Sequence, residues 1–360
     1  MKKVTSSDVA KLAGVSQTAV SLILNDNDKI TFSKETKERV FDAARQLGYT
    51  LPVRNKKRKN NAQVILVFTP TLANPYYTDL TQYVEEFVGP MGYYVHICNT
   101  FRNPELERYC LETLVTPNVV GIIYSFLPSF PQLLEQIMQT VPIVIIGEKQ
   151  EGLSLCSVGL NNVNAGAMMA KHLYELGHRK IAFLSTPLNR LTMARSQRLD
   201  GVRQYLEHYG IHDGLEIIIS DRRELNFDSQ GDMPYEYSLG RHLTAQFLKN
   251  NHGATALIGV NDMTALGIMA ELTDAGYQIP QDYSVCGFDN IFSARIITPG
   301  LTTIDHHLRA RCHAAADMLI SRPYAPKGIQ AANYVRMVDR IEYTPSLIVR
   351  QSTGICKTSK

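Results

Sequence analysis

The 360-residue sequence predicts an all-α helix–turn–helix headpiece followed by an α/β core of two doubly wound parallel-sheet subdomains. Three observations carry that expectation. The first fifty residues hold three short segments with apolar stripes, each bounded by cap residues. Charge is lopsided: residues 1–61 contain 13 Lys/Arg against 6 Asp/Glu, a net +7, while the rest holds 24 and 28, a net −4. From Gln63 onward, Ile/Val-rich runs alternate with helix-length amphipathic segments, the pattern of strands buried on both faces and joined by helices.

The opening segment "VTSSDVAKLAGVSQTAVSLILN" reads as two helices. Thr5-x-x-Asp8 resembles a capping box. Val9, Leu12 and Ala13 fall at i, i+3 and i+4 on one face. Gly14 ends the helix, because glycine enters the left-handed conformation cheaply. Ser16 is the next N-cap, and Val20, Ile23 and Leu24 form the second apolar face. A third segment, "SKETKERVFDAARQLGYT", places Val40, Ala44 and Leu47 on one side and stops at Gly48.

None of these helices is long enough to be stable alone in water, so they must share a core. A helix–turn–helix has this arrangement, with the second helix in the major groove. That helix would present Gln17, Thr18 and Leu22: an amide suited to adenine, a hydroxyl suited to either base type, and an apolar group suited to a thymine methyl. The hydroxyls of Thr5, Ser7, Ser16 and Ser21, with Asn25, would hold phosphates and fix register. A basic headpiece of this kind is the footprint of a duplex-DNA binder.

The same segment, followed by "SKETKERVFDAARQLGY", resembles the headpiece of the lactose-repressor (LacI/GalR) family, whose pattern is D-V-A-x-x-A-G-V-S-x-x-T-V-S-x-x-L-N and then T-x-x-R-V-x-x-A-x-x-x-L-G-Y. The chain departs at Ala19, where the family usually has a threonine hydroxyl. It departs again in the linker, "TLPVRNKKRKNNAQ". The family's Ala-Arg-x-x-Leu hinge, whose leucine wedges into the minor groove, is replaced here by Lys56, Lys57, Arg58 and Lys59. Those cations either track phosphates, adding salt-dependent affinity, or form a charged tether.

The body carries the runs "VILVFTP", "YYVHICN", "VVGIIYSF", "VPIVIIGE", "KIAFLST", "LEIIIS", "TALIGV" and "YSVCGFD". Glycines at 92, 177, 210 and 276 close the helical segments between them. So many strands exceed one sheet, so two are expected. "NPYYTDL", "ELGHRKIAFL", "NDMTALG", "SVCGFDN" and "PGLTTI" resemble the periplasmic-binding-protein-like core of the same family, so the resemblance runs from residue 3 to about residue 350. It implies the division 1–50 for the headpiece, 51–62 for a basic linker, 63–348 for a ligand-binding and dimerisation core, and 349–360 for a polar tail. Within the core, one subdomain would be 63–162 plus 292–324 and the other 163–291 plus 325–348.

Ligands in such folds bind at strand carboxyl ends or between domains. Asn261 and Asp289 follow strands, Ser125 follows "VVGIIY", and Arg198 occupies a family position that contacts sugar hydroxyls. A carboxylate, an amide and a guanidinium suit vicinal hydroxyls. Tyr76 and Tyr77 would stack on a sugar ring, with Tyr235 or Tyr237 closing the far side. The family often has Asp just after the fourth strand; here Gly147 stands there and Glu148 follows, so either Glu148 substitutes for it or the ligand lacks the hydroxyl that the Asp would accept from. Each residue also has a plainer reading: an Asx turn for Asp289, a helix cap for Asn261, a core position for Tyr77.

The resemblance implies a DNA-binding transcriptional regulator, a repressor of carbohydrate-utilisation genes. It would read a pseudo-palindromic operator as a homodimer and respond to a sugar or sugar phosphate bound between the subdomains. A non-sugar metabolite or a phosphorylated carrier protein is the alternative effector, and a sugar-modifying enzyme with a DNA-binding head is a third reading. Against an enzyme, the sequence has no G-x-S-x-G elbow, Walker A or G-x-G-x-x-G. No cofactor or metal is expected, since His306, His307 and His313 lack ligand spacing. His178 is read as a helix-end imidazolium favoured by the dipole. The six cysteines form no C-x-x-C pair and fit reduced cytoplasmic thiols. No apolar run reaches membrane-spanning length, and the N-terminal stretch lacks the apolar core of an export signal.

Overall fold

The computed structural model describes residues 4–24, 32–47, 49, 62–147, 154–188, 192–220, 233–321 and 338–357. The chain divides into two units, Met1–Asn61 and Ala62–Lys360.

In the first unit, α1 (Ser6–Ala13), α2 (Gln17–Leu24) and α3 (Lys34–Gln46) surround a small core. The capping box forms: the backbone N–H and the hydroxyl of Thr5 both donate to Asp8 Oδ2, at 2.9 and 2.7 Å. Gly14 takes φ +66° and donates to the Ala10 carbonyl. Ser16 Oγ accepts from the Ala19 N–H at 3.1 Å. The core is Val9, Ala10, Ala13, Val20, Ile23, Val40, Ala43 and Ala44, with Leu24, Leu47 and Tyr49 packed against it. Leu12 is not part of it. It is 48% exposed, because the close approach of three short helices admits the methyl of Ala10 on the inner stripe and turns the larger side chain out. Gly48 lies outside the described residues.

The second unit opens with β1 (Gln63–Thr69), α4 (Pro75–Val88), β2 (Tyr93–Asn99), α5 (Pro104–Leu114), β3 (Val119–Tyr124), α6 (Pro131–Ile137), β4 (Ile143–Ile146) and β5 (Cys156–Leu160). The chain then crosses to a second sheet through α7 (Asn162–Glu175), β6 (Ile181–Ser185), α8 (Met193–His208), β7 (Leu215–Ile219), α9 (Tyr235–Lys249), β8 (Ala256–Gly259), α10 (Asp262–Asp274), β9 (Ser284–Asp289), α11 (Phe292–Ile296) and β10 (Thr302–Asp305). It returns with α12 (Leu308–Ile320) and β11 (Arg340–Tyr343), and ends with β12 (Ser346–Ile348). The sheet orders are β11-β5-β4-β3-β1-β2 and β12-β10-β9-β8-β6-β7. Among the described residues all pairings are parallel except β10 with β12.

These pairings move two expected crossings. Residues 302–305 stay in the second sheet, Thr302 beside Cys286 and Asp305 beside Asp289, so the crossing follows Asp305 rather than residue 291. β11 pairs with β5 in the first sheet, so the last crossing falls between Tyr343 and Ser346. A short strand joins whichever sheet edge completes its hydrogen bonds, which local pattern does not reveal. The supposed polar tail is also structural. Ser352 is fully buried, its carbonyl accepts from Val285 N–H at 2.8 Å, and Cys356 N–H donates to Leu176 O at 2.8 Å.

Period-2 alternation sorts each sheet's side chains onto two helical layers. Ile65 and Val67 face α4 and α12, whereas Leu66 and Phe68 face α5 and α6. Ala182 and Leu184 face α9 and α10, whereas Ile181 and Phe183 face α7 and α8. Two helix pairs cross backbone to backbone. A Cβ on Gly166 would overlap the Arg198 carbonyl, and one on Gly201 would overlap the Val163 carbonyl; Gly240 and Gly267 meet Thr264 and Tyr237 in the same way. Glycine lowers intrinsic helix stability by about 1 kcal/mol, so close approach is what these positions gain. Gly201→Ala is expected to push α8 off α7 and lower unfolding free energy by about 1–3 kcal/mol or more. A urea midpoint equal to that of the unaltered protein would refute the contact.

Candidate functional site

α2 buries Val20 and Ile23, which turns Gln17 and Thr18 outward as exposed side chains, with Ser21 and Leu22 half-buried beside them. Thr5, Ser7 and Ser16 are exposed on the same unit. Gln17 Nε2 donates to Ser6 Oγ at 2.8 Å, which anchors its amide over the start of α1. Thr5 and Ser16 serve as caps: the Thr5 proton goes to Asp8, while Ser16 accepts and keeps its own proton to donate. Asn25, Lys56, Lys57, Arg58 and Lys59 lie outside the described residues.

The second site lies in the body, where the carboxyl ends of the two sheets face each other. It is a narrow cavity of about 120 Å³, below the roughly 300–1,000 Å³ of drug-sized pockets, so it suits a compact polar molecule. Tyr76, Tyr77, Ser125, Arg198, Asn261 and Asp289 all line it. Pro75 starts α4, and Asn74 caps it by accepting from Tyr76 N–H at 3.0 Å, which aims both tyrosines inward. Burial raises both phenols above their ordinary range, Tyr76 to about 12, so both remain protonated donors. Ser125 donates its hydroxyl to Phe68 O at 2.9 Å.

Arg198 is the centre of one polar group. Its Nε donates to Asn162 Oδ1 at 3.1 Å and its Nη1 to Val260 O at 2.7 Å, and Nη2 lies 3.6 Å from Asp289 Oδ1. The guanidinium also stands over the Phe288 ring, 4.9 Å from its centroid. His306 Nδ1 lies 3.2 Å from the same Asp289 oxygen. Burial, then Arg198 and Arg311, hold His306 well below its usual range, so it is a neutral imidazole. Burial drives the Asp289 carboxyl upward, with Arg198 opposing. Asp289 sits at φ +123°, a strained conformation costing of order 1–3 kcal/mol and typical of functional sites.

Glu236 centres the other group. Oε1 accepts from Arg195 Nη2 at 2.7 Å and Asn261 Nδ2 at 2.9 Å; Oε2 accepts from Asn74 Nδ2 at 2.6 Å. Asn261 thus fills both its readings, since its Oδ1 also caps α10 by accepting from Thr264 N–H.

Two expectations change, and a third falls outside the described residues. Tyr235 and Tyr237 do not line this cavity: Tyr235 packs against the α9–α10 core, and Tyr237 faces a separate surface groove. Both lie in the first turn of α9, which offers Glu236, the residue between them, to the cavity side. Glu148 lies outside the described residues. His178 is no helix-end imidazolium. It is 2% exposed and bonded to Thr255 Oγ1 and Ser284 Oγ, and burial lowers its basicity. Arg102, Asn162, Arg195, Glu236, His306 and Arg311 belong to the site or its support, yet the sequence reading missed them. Two had a signal. Arg195 stands one helical turn from Arg198, and Arg311 interrupts the apolar stripe Leu308–Cys312–Ala315.

Removing one partner of a buried pair leaves the other charge uncompensated. Glu236→Ala is therefore expected to destabilise the body by about 3–5 kcal/mol, read from denaturant unfolding; a loss below about 1 kcal/mol, the worth of a surface pair, contradicts this role. Asp262 is fully buried and accepts from Thr303 Oγ1 at 2.6 Å and Ile291 N–H at 3.0 Å. Burial pushes it up to about 6. A raised folded value stabilises below the unfolded value, and that contribution is lost as pH rises through 6. The stability of Asp262→Asn relative to the unaltered protein should therefore improve by about 1–2 kcal/mol between pH 5 and 7.5. A flat or reversed difference would exclude it.

Residues 5–51 match the family described as bacterial regulatory proteins, lacI family, and residues 170–353 match the periplasmic binding protein-like domain. The HTH-type transcriptional repressor PurR of Mannheimia succiniciproducens is 30% identical over 352 residues, covering 97% of this chain and 98% of that protein. The HTH-type transcriptional regulator DegA of Bacillus subtilis is 29% identical over 364 residues, covering 99% and 100%. These relatives are named as regulators and repressors, not enzymes. Among solved structures, a LacI family transcriptional regulator from Enterococcus faecium with bound ribose superposes with TM-score 0.67 at 25% identity, covering 82% of this chain and 100% of that one. The regulator CelR in complex with cellobiose shares the fold, with TM-score 0.64 at 22% identity over 97% and 100%. This chain belongs to the lacI family of bacterial DNA-binding transcriptional regulators.

Proposed function

We propose that this regulator is a homodimeric, cytoplasmic repressor of carbohydrate-utilisation genes, controlled by a sugar-like effector held between its body subdomains. The observation that carries the reading is the convergence of Arg198, Asn162 and Asp289, opposite Tyr76 and Tyr77, in one narrow cavity. Donors and an acceptor set at 3–4 Å suit adjacent hydroxyls, and the rings suit the C–H face of a sugar. The ribose-bound relative supports the class without identifying the molecule. Two headpieces on a pseudo-palindrome would each place α2 in a major groove, with Gln17, Thr18 and Leu22 at base edges and Ser7, Ser16 and Ser21 at phosphates. Exposed Phe292 and Ile296 on α11, 63% and 64% accessible, give a second copy an apolar surface to cover. Effector binding would change the angle between subdomains and so the spacing of the headpieces, a coupling of typically about 1–3 kcal/mol.

The test is thermal unfolding of the full chain against a panel of sugars and sugar phosphates, paired with operator binding. A ligand at one hundred times its Kd stabilises by roughly 2.7 kcal/mol. Arg198→Ala should erase the shift of the best ligand and its effect on operator affinity. If the shift persists, the cavity assignment is wrong.

A further inference from the structure

The cavity holds more positive charge than a neutral sugar needs. Four arginines line it, Arg102, Arg195, Arg198 and Arg311, against one lining carboxylate, Asp289, among the described residues. Glu236 adds a second from behind Arg195. Arg195 is matched by Glu236 at 2.7 Å, and Arg198 shares Asp289 at 3.6 Å.

Among the described residues Arg311 has no such match. It is 3% exposed, on the inner face of α12. Nη2 donates to Val158 O at 3.1 Å, and Nη1 makes a long bond to Tyr76 Oη at 3.4 Å. Its Nε is buried without a hydrogen-bond partner, and no carboxylate among the described residues lies within 4.0 Å. A buried guanidinium without a counter-charge is costly. A packing role does not account for it, since the flanking positions Leu308, Cys312 and Ala315 are apolar and buried. A neutral hydroxyl would satisfy one N–H and leave the charge. An oxyanion accepts two N–H bonds from the planar fork and neutralises it.

Resting on the effector reading above, we propose that the effector is an acidic sugar derivative whose anionic group, a phosphate or a carboxylate, seats against Arg311 while its hydroxyls face Arg198 and Asp289. Arg102, its guanidinium 5.6 Å from the Phe126 ring centroid, reinforces the positive field from the tyrosine side.

Thermal unfolding of the full chain tests this with matched pairs: ribose and ribose 5-phosphate, glucose and glucose 6-phosphate, glucose and gluconate. Inorganic phosphate against chloride at equal ionic strength is the probe that needs no correct sugar. Phosphate alone should protect saturably, and the best acidic compound should half-saturate at a concentration about tenfold or more below its neutral partner. Arg311→Leu should abolish both preferences and Arg311→Lys retain part of them. The matched pairs separate phosphate from carboxylate and need no variant, so a poorly folding Arg311→Leu does not block the test. The proposal is overturned if phosphate gives no protection, if it protects Arg311→Leu equally, or if neutral sugars bind as well as their acidic partners. A win for neutral sugars leaves the effector reading standing. If no sugar of either kind shifts unfolding or operator affinity, the effector reading falls and takes the proposal with it.

Discussion

Burying a carboxylate is costly by several kilocalories per mole unless donors replace its water, and three donors from two subdomains meet Glu236. Arg195 and Asn261 belong to the second subdomain, whereas Asn74 caps α4 in the first. Each asparagine is used twice, its carbonyl oxygen capping a helix and its amide nitrogen donating to Glu236. The carboxylate therefore fixes the starts of α4 and α10 and the inner face of α8 against one another. Rotating the subdomains apart would break the Asn74 bond while leaving the other two within the second subdomain. One charge-assisted hydrogen bond is worth about 1.5–3 kcal/mol, similar to a typical allosteric coupling of about 1–3 kcal/mol. A single contact thus has the right magnitude to set the balance between two arrangements of the body.

The chain's crossings feed the same centre. Asn162 follows the first crossing directly, and His306 lies in the second, between β10 and α12; Arg198 reaches both. On the proposed reading, a ligand that reorients Arg198 would act on the connecting segments themselves, with no relay needed. Strain is held there too. Asp289 and Asn290 both have positive φ, and Arg350 Nη2 clamps Asn290 Oδ1 at 2.6 Å. That arginine lies beyond β12, in residues that composition alone marks as a tail. Their packing against Val285 and Leu176 makes them a brace for the strained turn.

The headpiece was nearly all legible in the sequence because its determinants are local: a capping box, a left-handed glycine, a second serine cap and apolar spacing. The stripe failed only at Leu12, where interhelical distance, a tertiary quantity, favours alanine. In the body, long Ile/Val runs announce eight strands. β5, β10, β11 and β12 do not announce themselves, because "CSVGL", "TTID", "RIEY" and "SLI" become strands by pairing with edges already built. The same cause displaced two crossings. At the cavity, Asn261 and Asp289 were legible because they end apolar strands, and Arg198 through the family resemblance. Glu236 was not, since nothing local distinguishes a buried acid near a helix start from a solvated one. Arg311 was half-legible, as a charge where the α12 stripe calls for an apolar residue.

The glycine contacts decide which part of the body can move. With α7 against α8 and α9 against α10 at backbone distance, the second subdomain has little freedom to slide internally, because any shift meets a carbonyl. Arg195 and Asn261 share Glu236, and Arg198 donates to the Val260 carbonyl, so these three would travel as one set. The first subdomain holds α4 and α12 through side chains such as Leu80, Val84, Leu308 and Cys312, an interface that repacks more readily than backbone contact. Rigid-body rotation would then be the low-cost motion, with Asn74, Tyr76, Tyr77 and Arg311 on one side of the cavity and the polar group around Arg198 on the other. On the proposed reading, a ligand spanning the cavity would satisfy both sets at only one angle, and its binding energy would go into that angle rather than into deforming either half.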